Sequence, residues 1–140
     1  MIGIHTHKMP AITTLIAEDY EEFRQQLRSM LLDGTQYAIV CEAADGLQAV
    51  QRAEELQPDL VLLDLSLPKL NGMEAGRRIR RVSPNSKIVV LSQESSPDIM
   101  RGALLMGALG YVLKSDAGEL LDALESVMKG VQYVSSRLRA

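Results

Sequence analysis

The sequence predicts an α/β fold, a doubly wound parallel sheet in which five strands alternate with five helices. Two observations predict it. Five short runs, Thr13–Ala17, Ala38–Ala43, Leu60–Leu63, Lys87–Leu91 and Tyr111–Leu113, are nearly continuous in apolar residues. That is the pattern of strands covered on both faces. Between the runs, apolar residues return every three or four positions, which is the period of a half-buried helix. The length of 140 residues suits one domain that buries roughly two-thirds of its unfolded surface.

The elements follow in order. TTLIA ends in Glu18-Asp19, after which Phe23, Leu27, Met30 and Leu31 share one helix face while Glu21, Glu22, Arg24 and Arg28 point away. AIVCEA leads through Asp45-Gly46 to the stripe Ala49, Ala53 and Leu56, which stops before Pro58 because the residue before a proline disfavours helix. LVLL ends in Asp64, and Pro68 and Asn71-Gly72 mark the turn into the stripe Met73, Gly76, Ile79 and Val82. KIVVL ends in Ser92, and Ser95-Ser96-Pro97 opens the stripe Met100, Ala103, Leu104 and Gly107, weakened by its glycines. YVL ends in Lys114, and Leu120, Leu121, Leu124, Val127, Met128 and Val131 form the strongest stripe, with Gly130 near its end.

Short connections and right-handed crossovers place helices on both faces of the sheet. The expected arrangement is (βα)5, flavodoxin-like; known folds of this kind, rather than the residues, supply the expected parallel strand order 2-1-3-4-5. Residues 1–11 read as a disordered leader and 12–130 as the domain.

Composition narrows the classes. A chain 46% hydrophobic and 24% charged is an ordinary soluble globular protein. A net charge of −3 gives this piece no electrostatic reason to bind nucleic acid by itself. No apolar run is long enough to span a membrane, and Met1 to Thr14 lacks the apolar core of a signal peptide. The single cysteine, Cys41, excludes an internal disulfide and fits a reducing cytoplasm. It reads as a small hydrophobe rather than a nucleophile. His5 and His7 invite a metal reading, but no third ligand lies nearby in the sequence.

Ligands of such sheets bind beyond the carboxyl ends of the strands. Strand 1 ends there in Glu18-Asp19, strand 3 in Asp64, strand 4 in Ser92 and strand 5 in Lys114. Three converging carboxylates repel one another unless a cation intervenes, and a hard divalent ion such as Mg²⁺ accepts such oxygen ligands. With Lys114 and the Ser92 hydroxyl opposite, the site suits a group with several anionic oxygens, a phosphoryl group. Asp64, on the central strand, is placed to act as nucleophile and form an acyl phosphate. Taken singly, each residue has a plainer reading: Asp64 or Ser92 as a cap, Glu18-Asp19 as a helix N-terminal charge pattern, Lys114 as a solvated lysine. Their joint placement at the strand ends favours chemistry.

These motifs resemble the receiver domain of a two-component response regulator: Glu18-Asp19, Asp64-Leu-Ser-Leu-Pro68 with Gly72 beyond it, Ser92, and Tyr111 with Lys114. The resemblance runs from about Thr13 to Gly130. It implies that Asp64 is the phosphoacceptor, phosphorylated by a sensor histidine kinase. It also implies that Asp19, Glu18 and the backbone carbonyl of Ser66 join Asp64 in holding Mg²⁺ or Mn²⁺. Ser92 would be the switch hydroxyl, Lys114 the phosphate-contacting cation and Tyr111 the rotating switch aromatic. A domain of this kind is a regulatory phosphoacceptor, not a turnover enzyme, though it assists its own phosphorylation and dephosphorylation.

Two positions depart from the family pattern: Gln93, where a small residue is usual, and Ser115, where proline is common. The tail from residue 131 to 140 resembles the start of the linker in NarL/LuxR-type regulators, which leads there to a helix-turn-helix domain. DNA binding is therefore expected only through a domain outside this chain. The resemblance implies pairing through helices 1 and 5 or through the helix 4–strand 5–helix 5 face. Weak or phosphorylation-dependent homodimers are expected because Leu120, Leu121, Leu124 and Met128 offer more apolar surface than one helix face needs.

Three rivals use the same fold. An aspartate-nucleophile phosphatase wants a second acid two residues after Asp64, where this chain has Ser66. A flavin or nucleotide binder wants a glycine- or hydroxyl-rich loop after strand 1, where Glu18-Asp19-Tyr20-Glu21-Glu22 stands. A phosphorylation-independent or stand-alone interaction module is the closest alternative, since Gln93 and Ser115 leave it room.

Overall fold

The structure, a computed structural model, describes residues 11–34 and 36–139. The leader apart from Ala11, with His5 and His7, lies outside the described residues. Five strands, β1 (Ile12–Ala17), β2 (Tyr37–Ala43), β3 (Leu60–Asp64), β4 (Lys87–Ser92) and β5 (Gly110–Leu113), alternate with α1 (Glu21–Gly34), α2 (Gly46–Leu56), α3 (Gly72–Val82), α4 (Pro97–Met106) and α5 (Leu120–Met128). All pairings are parallel and the order is β2-β1-β3-β4-β5, as expected.

A sixth strand extends it. β6 (Tyr133–Val134) pairs in parallel with β5, and a 3-10 turn over Ser136–Leu138 follows. The sequence reading treats this stretch as linker; in the structure it is a docked part of the domain.

Strand alternation sorts the core into two layers. Ile16, Leu60, Leu62, Val89, Leu91 and Val112 face α1 and α5, meeting Phe23, Leu27, Leu120 and Leu124. Leu15, Val61, Leu63, Ile88, Val90, Tyr111 and Leu113 face α2, α3 and α4, meeting Ala49, Ala75, Ile79 and Ala103. Each fully buried Leu or Ile contributes about 1.5–3 kcal/mol relative to exposure, so the central strands anchor whatever their ends carry. The expected apolar excess on α5 is smaller than the sequence suggests. Leu120 and Leu124 are buried against α1, Met128 is partly buried, and only Leu121 is exposed.

Glycines let the loops close over the strand ends. A Cβ on Gly72 would meet the Asp64 carbonyl oxygen at 2.2 Å, and one on Gly46 would meet the Leu70 carbonyl oxygen at 1.9 Å. The Gly72 N–H donates to the Leu65 carbonyl (2.9 Å) and the Gly46 N–H to that of Pro68 (3.1 Å). The loop after Asp64 is thus pinned at both ends, with Lys69 in the left-handed region (φ 68°) at its crest. Asn71 caps α3 by accepting from the Glu74 N–H at 3.0 Å.

Candidate functional site

The same alternation explains which side chains meet. Glu18, Asp64 and Lys114 follow Ile16, Leu62 and Val112 at intervals of two, so all three emerge on the α1–α5 side of the sheet rim. There, Glu18, Asp19 and Asp64 each offer a carboxylate oxygen, and the three oxygens lie within 4.8 Å of one another. Glu18 and Asp64 are buried, whereas Asp19 is exposed. The Lys114 ammonium lies 2.8 Å from Glu18 Oε1 and 3.4 Å from Asp64 Oδ1. One cation thus bridges two buried acids.

Local bonds fix each group. The Tyr20 N–H donates to Glu18 Oε2 (3.0 Å), and the Arg24 guanidinium donates to the Glu18 carbonyl (2.9 Å). The Ser66 N–H donates to Asp64 Oδ1 at 3.1 Å. Burial pushes the Glu18 carboxyl above its ordinary pKa, and the Asp64 charge adds to that, while Lys114 and the Tyr20 N–H work against it. Lys114 is the only cation in ion-pair contact with Glu18 and Asp64 among the described residues.

These groups line a cleft of about 560 Å³ together with Tyr20, Glu22, Phe23, Gln26, Ser66 and Gln93. The donor set is all oxygen, compact and open to water at Asp19, which fits a hard divalent cation. Phe23, which the sequence reading takes only as core, also lines this cleft. Its ring lies 5.0 Å from the Lys114 ammonium, a cation–π distance that holds the lysine over the acids. Its place four residues after Asp19, at the first apolar position of α1, is the signal for it.

Ser92 sits differently. Its parity is that of Ile88 and Val90, so it points to the α4 side, is buried, and lies outside the cleft lining. Its hydroxyl accepts from the Glu94 N–H at 2.9 Å, and Gln93 takes the place beside the cleft. Tyr111 is on the same side and fully buried, its hydroxyl donating to the Glu94 carbonyl at 2.7 Å. Burial raises its phenol pKa while the neighbouring Ser92 hydroxyl acts the other way. Ser92 and Tyr111 therefore both grip one loop. Tyr111, expected as the rotating switch aromatic, is fully buried in this structure. The Lys114–Ser115 bond is trans, as are all described peptide bonds.

No helix among the described residues is long and apolar enough to cross a membrane.

Comparison with known proteins agrees with this geometry. The family model of the response regulator receiver domain matches residues 14–125. The transcriptional regulatory protein DegU of Brevibacillus brevis is 33% identical over 128 residues, 91% of this chain and 54% of that protein. The nitrate/nitrite response regulator protein NarL of Escherichia coli K12 is 35% identical over 127 residues, 90% of this chain and 59% of that protein. The chain thus spans just over half the length of these relatives. A crystal structure of a LuxR-family two-component response regulator from Aurantimonas sp. SI85-9A1 superposes with a TM-score of 0.86 at 32% identity, covering 91% of this chain and 92% of that one. The chain belongs to the response regulator receiver domain family, and its relatives are regulators of the NarL/LuxR type.

Proposed function

We propose that Asp64 accepts a phosphoryl group from the phosphohistidine of a sensor histidine kinase, and that the modified domain controls transcription through a DNA-binding domain outside this chain. The observation that carries the proposal is the meeting of three carboxylates and one lysine at the end of the central strand. An Asp64 oxygen attacks phosphorus, a P–O bond forms as the P–N bond of the phosphohistidine breaks, and the leaving imidazole takes the electron pair and a proton from solvent. A divalent cation, Mg²⁺ or Mn²⁺, held by Glu18, Asp19, Asp64 and the Ser66 carbonyl would supply positive charge against the anionic oxygens. Lys114 moves from its carboxylate partners to a phosphoryl oxygen, and the Ser92 hydroxyl leaves the Glu94 N–H for another.

That exchange loosens the loop Ser92–Pro97, whose carbonyl at Glu94 is the partner of Tyr111. The α4–β5–α5 face then changes because the two loop arrangements differ in affinity for the phosphoryl group. The domain acts in the cytoplasm as a switch, without turnover of a substrate. Two copies pair through α1 and α5, or through the α4–β5–α5 face. The check on pairing is elution volume with and without beryllofluoride, and a monomer under both conditions contradicts it.

Incubation with acetyl phosphate and Mg²⁺, followed by intact mass, tests the chemistry. A gain of about 80 Da, one phosphoryl group, is expected, and Asp64→Asn is expected to abolish it. A gain that persists in Asp64→Asn contradicts the assignment.

A further inference from the structure

The tail that forms β6 is tied to the segment carrying Lys114 at three successive points. The Ser135 hydroxyl accepts from the Leu113 N–H at 2.8 Å, one residue before Lys114, and the Ser135 N–H donates to the Tyr111 carbonyl at 2.9 Å. Arg137 pairs with Asp116 at 2.8 Å. Glu119 accepts from the Tyr133 hydroxyl (2.6 Å), the Ser136 N–H (3.0 Å) and the Ser136 hydroxyl (2.8 Å).

Ser135 is the innermost of these points, at 0% exposure. The β5–β6 ladder is only two residue pairs long. Where it stops, the Leu113 N–H would face away from β4 without a backbone acceptor, and the serine hydroxyl supplies one. A buried N–H left unpaired is costly, so this bond holds the end of β5 at Leu113. Lys114 then starts a 3-10 turn, Lys114–Glu119, with a kink at Asp116 (φ −112°, ψ 34°). The tail holds the outer side of that turn through Asp116 and Glu119.

We infer that Ser135 is a positioning residue for Lys114: by fixing the Leu113 N–H it sets the direction in which the lysine leaves β5 towards Glu18 and Asp64. The inference deepens the proposed function and rests on Lys114 contacting the phosphoryl group. Coupling of this kind is reciprocal. A change in where Lys114 is held is therefore felt at Ser135.

The test is a double-mutant cycle on the 140-residue chain. Ser135→Ala is expected to slow phosphorylation by acetyl phosphate and Mg²⁺ about fivefold, Ser135→Thr, which keeps the hydroxyl, to restore it, and Ser135→Ala to have no further effect in a Lys114→Met background. Equal slowing in both backgrounds, or none in the first, overturns the inference. Arg137→Ala, at the exposed end of the same tether, serves in the same cycle if Ser135→Ala does not fold, with a smaller effect of the same pattern expected. Amide exchange gives a readout independent of phosphoryl chemistry. Exchange over residues 113–119 is expected to rise about tenfold in Ser135→Ala while β1 and β3 are unchanged. Unchanged exchange over 113–119 overturns the inference, whereas a wild-type chain that takes no phosphoryl group overturns only the proposed function.

Discussion

The two rims of the sheet both hold polar side chains, and they use them in opposite ways. At the rim where strands begin, every group named has a matching partner. The Thr13 N–H and hydroxyl donate to Asp59 Oδ2 at 2.9 and 3.0 Å, and the Asp59 N–H returns a bond to the Thr13 hydroxyl at 2.9 Å. Ser83 and Ser86, both buried, share a bond of 2.6 Å, and Ser86 also reaches the Pro58 carbonyl. At the rim where strands end, three carboxylates crowd together and one lysine serves two of them. The first arrangement is closed and stabilises connections between neighbouring strands and loops. The second is short of positive charge, which is what the proposed cation and phosphoryl group require.

That contrast can be broken first at Lys114. Lys114→Met is expected to slow phosphorylation by acetyl phosphate about 100-fold, the size of losing one preorganised electrostatic contact. The same variant is expected to bind Mg²⁺ more tightly by calorimetry, since the lysine no longer competes for Glu18 and Asp64. Losses in both measurements would mean that the rim is held together by the lysine alone. Next is Gly72→Ala. Its Cβ would strike the Asp64 carbonyl, and the clash is expected to lower stability by about 1–3 kcal/mol in denaturant titration and to slow phosphorylation as well. Full activity after that change would separate the loop from the site.

Ser86→Ala sharpens the comparison from the other rim. It leaves the Pro58 carbonyl without its partner and is expected to lower stability by about 1 kcal/mol while the phosphorylation rate stays unchanged. The smallest effect is on acidity. Bonds from Tyr133 and Ser136 hold the Glu119 carboxyl below its ordinary 4.5. They favour the charged form, so this contribution to tail docking is fully present above pH 4.5 and is lost as pH falls through the lower folded value. Amide exchange at Ser136 is expected to accelerate over that acidic window, and exchange without pH dependence beyond the intrinsic rate would contradict it.

The strands and the five strand-end residues were legible because each depends on local pattern, whereas the strand order came from the common arrangement of such folds. A buried parallel strand is a short apolar run, and its last residue is where function gathers. Period two also carries more than the sequence reading takes from it: counting from Ile88 and Val90 puts Ser92 on the opposite side from Asp64 and Lys114. β6 was not legible, because a strand of two residues has no periodicity. It is specified by Ser135 with Leu113, Arg137 with Asp116 and Tyr133 with Glu119, partners 22, 21 and 14 residues apart. Phe23 was hidden for a different reason. A ring at the first apolar position of a helix looks like core from sequence, and it is core on one side; only the fold brings Lys114 over its other face.

The central claim is that the acids at this rim present Asp64, and no other carboxylate, to phosphorus. Borohydride reduction after treatment with acetyl phosphate and Mg²⁺ converts an acyl phosphate to an alcohol, and peptide mapping then locates it. The expected product is homoserine in place of Asp64 alone. Homoserine in place of Asp19, reduction at Glu18, or no reduction anywhere would contradict the account.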